Sequence, residues 1–221
     1  MGDRSVLIFL RGDDITVLCR HIHALDSHLN KLALPGVVET VPAYKSLAVY
    51  YLPSKIGVND LCARLSELTK SVGNDAAETA RTVEIPVCFD GVFGSDVTEV
   101  ASIHSLSVDR LLNTYLSAVY TVAMIGFTPG FPYLLGLPER LATPRRRTPR
   151  QLVAAGSVGI GGSQTGIYSL DSPGGWNIIG RTPLRLFLAE TEEPTFLRAG
   201  DIVRFQRIDE STFDSIKKLE L

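Results

Sequence analysis

Gly126-Phe127-Thr128-Pro129-Gly130-Phe131-Pro132-Tyr133 and, further on, Ser172-Pro173-Gly174-Gly175-Trp176 bound the part of the chain whose reading decides the fold. Between Gly126 and Arg185 stand 11 of the 19 glycines and 7 of the 12 prolines, which breaks any helical period. Short apolar runs alternate there with turn signals: Thr128-Pro129-Gly130, Leu137-Pro138 and Ser172-Pro173-Gly174-Gly175. Many short strands punctuated by turns predict an all-β barrel or sandwich. A flexible linker has a similar composition but lacks aromatics, whereas this stretch holds Phe127, Phe131, Tyr133, Tyr168 and the chain's one tryptophan, Trp176. Glycines interleaved with rings suit a pocket lined by backbone N–H groups and flat side chains.

Upstream the texture differs. Ser5 to Leu10 reads as a strand, and Asp14 caps a helix with Ile15, Leu18, Ile22, Leu25, Leu29 and Leu32 at helical spacing. Pro35-Gly36 stops it, and Val37 to Val41 and Ser46 to Tyr51 follow as strands. Asn59 or Asp60 opens a second helix with Leu61, Leu65, Leu68 and Val72 on one face, and Thr82 to Val87 closes the unit. The order βαββαβ predicts a small α+β ferredoxin-like domain over residues 1–87, with the barrel domain over 88–221. Ser95 and Ser107 read as caps of two short helices, Asp96 to Ser102 and Val108 to Ala118. Val119 to Ile125 and Asp201 to Ile208 read as barrel strands.

Length and composition are those of an ordinary globular protein, with 45% hydrophobic and 21% charged residues. Net charge of −2 argues against a nucleic-acid binder. No apolar run reaches the ~20 residues of a membrane helix, and the short run Val6 to Leu10 does not suit a signal peptide. Cys19, Cys62 and Cys88 form no C-x-x-C pair and read as buried small hydrophobes, so the protein is expected in the cytoplasm.

The even charge balance hides an asymmetry: Gly126 to Arg185 carries seven arginines, no lysine and two acids. Arg145, Arg146, Arg147 and Arg150 lie between or beside Pro144 and Pro149. They form either a solvated basic loop or a stiffened set of guanidinium forks for a carboxylate or phosphate. Gln164, Thr165, Gly166 and Tyr168 are either barrel packing or neutral donors and acceptors, and Trp176 is either core or the wall of a site. Generic motifs fail. Ala155-Gly156-Ser157-Val158-Gly159 lacks the first glycine of a nucleophile elbow. Gly156 to Ser163 has Gly162 where a P-loop needs lysine, and Gln164 replaces the third glycine of a dinucleotide fingerprint. His21 and His23 diverge on their helix, so no metal site is expected.

Six blocks in one order carry a resemblance: Gly126 to Tyr133, Thr143 to Arg146 with Pro149-Arg150, Ala155 to Val158, Gln164 to Tyr168, Ser172 to Trp176, and Gly180 to Pro183. Together they resemble the family of 5-oxoprolinase B subunits, also called KipI-type or allophanate hydrolase subunit 1. The resemblance implies a cyclophilin-like β-barrel behind the small α+β domain. It further implies an ATP-dependent 5-oxoprolinase complex with two partners, a second cyclophilin-like protein (the C subunit) and the A subunit, opening 5-oxoproline to glutamate. Relatives act on urea as carboxyltransferases, and one branch inhibits a sensor histidine kinase. ATP, with Mg as its counter-ion, is expected to be bound by the complex, since no motif here holds it. On this resemblance Arg145, Arg146, Gln164 and Tyr168 are the expected catalytic residues. Phe127, Pro129, Gly130, Phe131, Arg150, Ser157, Thr165, Gly166, Trp176 and Arg181 are the expected contacts to a lactam or amide substrate.

Overall fold

A computed structural model describes residues 4–72 and 80–219. The chain divides into two compact units, residues 1–80 and 81–221.

The first unit contains β1 (Ser5–Phe9), α1 (Ile15–Leu32), β2 (Val37–Ala43), β3 (Ser46–Tyr51) and α2 (Val58–Ser71). Asp14 caps α1 as expected, its carboxylate accepting from the Thr16 and Val17 amides at 2.8 and 3.1 Å. The helix ends at Ala33, which takes a left-handed conformation at φ 44°. For α2 the N-cap is Gly57, without a side-chain bond, rather than Asn59 or Asp60. Alternation along β3 turns Leu47, Val49 and Tyr51 inward, where they meet Ile22, Leu25 and Leu29 of α1 and Leu61 and Leu65 of α2. Cys19 is buried, but Cys62 is exposed on α2, against expectation.

The sheet of this unit has three strands in the order β1-β3-β2, all antiparallel. The expected closing strand, β4 (Thr82–Cys88), belongs to the other unit. It pairs in parallel with β12 (Ile202–Ile208), from Thr82 opposite Ile202 to Cys88 opposite Ile208. The ferredoxin-like βαββαβ reading over 1–87 is corrected to βαββα, and the units divide at Ala80 and Arg81. Alternation in Thr82 to Cys88 fixes which side chains point inward, and is silent on which sheet accepts the backbone.

The second unit is a closed seven-stranded barrel in the order β11-β4-β12-β5-β6-β9-β8. Its further strands are β5 (Tyr120–Ile125), β6 (Pro132–Leu135), β8 (Ser157–Gly161), β9 (Gln164–Ile167) and β11 (Asn177–Arg181). A side ribbon pairs β7 (Arg150–Val153) with β10 (Ser172–Gly174). The helices α3 (Val97–Ile103) and α4 (Val108–Leu116) share the barrel's core through Val100, Leu111, Leu112 and Tyr115. Tyr115 is fully buried, its ring 5.1 Å from those of Tyr120 and Phe205, and its hydroxyl bonds Thr165 at 2.8 Å. A helix not anticipated from sequence, α5 (Glu210–Leu219), docks Phe213 against Phe93 at 4.5 Å. Among the described residues no helix is long and apolar enough to cross a membrane.

The parallel pair β4–β12 is clamped at its start. Arg81 reaches Asp201 with two bonds of 3.1 and 2.5 Å, and Asp201 also accepts from the Arg198 amide at 2.8 Å. Asp201 is 7% exposed, whereas the pair Arg207–Asp90 is open to water on both sides. Asp201→Ala should therefore cost roughly 1.5–3 kcal/mol of unfolding free energy in urea titrations. Arg207→Ala should cost less than about 1 kcal/mol. Equal losses would contradict the assignment of the clamp.

Candidate functional site

The arginine loop is stitched to its surroundings by main-chain groups. Thr143 bridges Gly162, the Arg146 amide donates to the Gly175 carbonyl at 2.8 Å, and the Asn177 side chain donates to the Pro144 carbonyl at 2.9 Å. This places Arg145 and Arg146 beside the Ser172–Trp176 segment.

Two of the loop's arginines converge on one buried acid. Asp96, at the N-terminal end of α3, is only 4% exposed. One carboxylate oxygen accepts from Arg150 at 2.6 Å and from Arg146 at 3.1 Å, and the other accepts from the Ile178 amide at 2.6 Å. Its own amide donates to the Ile178 carbonyl at 2.8 Å. The sequence puts the cap at Ser95 and starts the helix at Asp96; in the structure Asp96 itself is the N-cap, yet its side chain makes no cap bond and is spent on the arginines and β11. Arg146 also reaches the exposed Glu99 at 3.5 Å. Arg145 and Arg147 remain exposed. The guanidinium of Arg145 lies 5.8 Å from the Trp176 ring centroid, within range of a cation–π contact.

Beside Arg145 opens a cavity of about 280 Å³ walled by aromatic rings. Phe131 stands edge-on to Tyr168 at 5.3 Å and to Trp176 at 5.5 Å, and Tyr133 packs against Trp176 at 5.9 Å. Such edge-to-face contacts fix ring positions beyond what area burial does. Phe127 completes the set, 60% exposed and in a left-handed conformation at φ 66°. A bulky residue held there costs roughly 1–3 kcal/mol, and here the strain keeps a large ring at the cavity mouth. Trp176 rests on Gly161, where a Cβ would lie 2.5 Å from the indole. Glycine is required at that position by close approach.

Burial pushes the Tyr168 phenol above its ordinary pKa, against a hydrogen bond with the Trp176 backbone and the pull of Arg145 and Arg150. Burial likewise raises Tyr133, opposed by Arg145. Both phenols stay protonated near neutral pH and offer neutral hydrogen bonds. The site combines flat apolar walls, two phenols, the exposed guanidinium of Arg145 and that of Arg146, whose charge is shared with Asp96. That set suits a small, flat, polar ring bearing an anionic group.

The structure thus brings together Phe127, Phe131, Arg145, Arg146, Tyr168 and Trp176 of the expected residues, and adds Tyr133 and Pro149. The others lie elsewhere. Arg150 is taken up by Asp96. Thr165 is fully buried between Tyr115 and the Gly159 carbonyl, and Gly166 packs behind the Phe131 ring. Gln164 is half-buried in β9 opposite Gly161, outside the cavity lining. Ser157 is buried in β8, where its carbonyl accepts from the Tyr168 amide. The Pro129 carbonyl accepts from the Ser169 hydroxyl at 2.6 Å, and Gly130 turns the chain against Phe187. Arg181 donates through Nε to the Ala155 carbonyl at 2.8 Å and lines a different cavity. Asp96 escaped the sequence reading because an acid in the first turn of a helix has an ordinary explanation in the helix dipole.

Comparison with known proteins adds the family. The model of the carboxyltransferase domain, subdomain C and D, matches residues 1–197. The 5-oxoprolinase B subunit of Bacillus subtilis (strain 168) is 41% identical over 233 residues, covering 99% of this chain and 95% of the relative. That of Escherichia coli O157:H7 is 45% identical over 206 residues, covering 93% of each. The crystal structure of TTHA0988 superposes with a TM-score of 0.79 at 37% identity over 93% of this chain, which spans 40% of that longer chain. The chain belongs to the carboxyltransferase-domain family of subdomains C and D and, within it, to the family of 5-oxoprolinase B subunits.

Proposed function

We propose that this chain is the B subunit of an ATP-dependent 5-oxoprolinase, opening 5-oxoproline to glutamate together with the C and A subunits in the cytoplasm. The observation that carries the reading is the nearly end-to-end match, at 41% identity, to a relative named as the B subunit of 5-oxoprolinase. The barrel is then of the cyclophilin-like type, and its aromatic cavity is this chain's share of the lactam site. The chain is inactive by itself, because a cavity with two arginines, one of them paired with Asp96, and two neutral phenols lacks the groups for a driven hydrolysis.

A cavity of about 280 Å³ fits a five-membered lactam. It lies at the lower end of the roughly 300–1,000 Å³ typical of small-molecule sites, which suits a compact ring. Gly162 stands where a P-loop would carry lysine, and the nucleotide is assigned to the rest of the complex. Phe131, Tyr133 and Trp176 flank the ring and exclude water. Tyr168 and Tyr133 hydrogen-bond the amide without changing charge. Arg145 pairs with the substrate carboxylate or with oxygen on which charge develops, and such fixed donors contribute most where water is excluded. Arg146 shares its charge with Asp96 and acts mainly by holding the loop.

In the reconstituted complex, Arg145→Ala should lower ATP-dependent 5-oxoproline turnover by about 100-fold, the loss typical of one removed charge-stabilising donor. Unaltered turnover would contradict the assignment. Asp96→Ala should cost roughly 2–4 kcal/mol in unfolding free energy, because two arginines and the Ile178 amide lose their acceptor. It should also raise KM for 5-oxoproline in the folded fraction. A stability loss with KM unchanged would show that the loop's position does not matter to the substrate.

A further inference from the structure

A second cavity, of about 220 Å³, lies within the barrel unit and is not explained by the lactam site. Its charged lining consists of Arg181, Arg185 and Lys217, with no carboxylate among the lining residues. Among the described residues none of these three cations forms a salt bridge, in contrast to Arg81, Arg146, Arg150, Arg198 and Arg207. Asp171, which holds the Ala155 amide at 2.7 Å, does not line the cavity. The floor is apolar, formed by Leu184, Phe187 and the buried Phe213 of α5.

Each cation has an ordinary explanation when taken singly. Lys217 sits in the last turn of α5, where a positive charge complements the helix dipole, and Arg185 is exposed. Their convergence has no such explanation, since three like charges around one cavity repel one another. Arg181 is also oriented: its Nε is held by the Ala155 carbonyl at 2.8 Å, which leaves both terminal amino groups for a bidentate acceptor.

The two cavities are separate. Trp176 borders the first and Arg181 the second, on either side of Asn177 to Ile179 and Gly180 in β11, roughly 16 Å apart along an extended chain. Tyr168 lines the first and its neighbour Ser169 the second.

We infer that the cavity of Arg181, Arg185 and Lys217 is a binding site for a small organic phosphate, its dianionic head held by the three cations and its apolar body resting on Phe187 and Phe213. Three cations exceed what a single carboxylate neutralises, whereas a phosphate monoester carries about −1.5 to −2 near pH 7. The site stands independently of the lactam reading.

Calorimetric titration of the full chain with phenyl phosphate tests this. Saturable binding is expected, weakened at least 10-fold by the double variant Arg185→Glu/Lys217→Glu and unchanged by Arg145→Ala. Both substituted positions are exposed, and a melting curve matching the parent verifies that the double variant folds. Benzoate, a monoanion of similar shape, should bind at least 5-fold more weakly. The proposal is overturned by absence of saturable binding, by equal affinity in the double variant, by loss of binding in Arg145→Ala, or by benzoate binding as well as phenyl phosphate.

Discussion

The buried carboxylate of Asp96 is the point on which the candidate site depends. It joins three pieces that are distant in sequence: the start of α3, the arginine loop, and β11 at Ile178. A carboxylate this well buried is tolerable only with its oxygens occupied by donors, and here two guanidiniums and an amide supply them. The consequence is positional. With Arg146 anchored on one side and the Pro144 carbonyl held by Asn177 on the other, Arg145 between them is presented over Trp176.

This divides the arginines by role in a way their clustering does not reveal. Arg146 and Arg150 are fastened by Asp96, Arg145 lies exposed beside Arg146 in the lining of the aromatic cavity, and Arg181 lines a separate cavity at the far end of β11. A dense run of guanidiniums therefore does not amount to one anion site. The accessible charge at the aromatic cavity is smaller than the composition suggests.

The sequence reveals the fold where local chemistry decides it. Asp14 caps its helix, Ser107 caps α4, and the glycine- and proline-punctuated strands after Gly126 form a barrel. What stayed hidden depends on partners far along the chain. Thr82–Cys88 follows the first unit in sequence, yet its backbone pairs with β12 more than 100 residues away, as the Arg81–Asp201 clamp illustrates. The helix α5, which buries Phe213, was not read from the sequence although its apolar period is as strong as that of α1. That Phe127, Phe131, Tyr168 and Trp176 line one cavity was legible because rings among ordered glycines have few other uses. Thr165 was not, since a hydroxyl on a barrel strand looks the same whether it faces a ligand or, as here, Tyr115.

Trp176 is the chain's one tryptophan and forms a wall of the cavity, which makes it a reporter for the central claim. With 5-fluorotryptophan incorporated into this chain only and the complex reassembled, fluorine NMR would follow that residue during titration with 5-oxoproline. The account predicts a resonance that shifts and saturates in the concentration range that half-saturates turnover. A resonance unmoved while the complex turns over substrate would place the lactam elsewhere and contradict it.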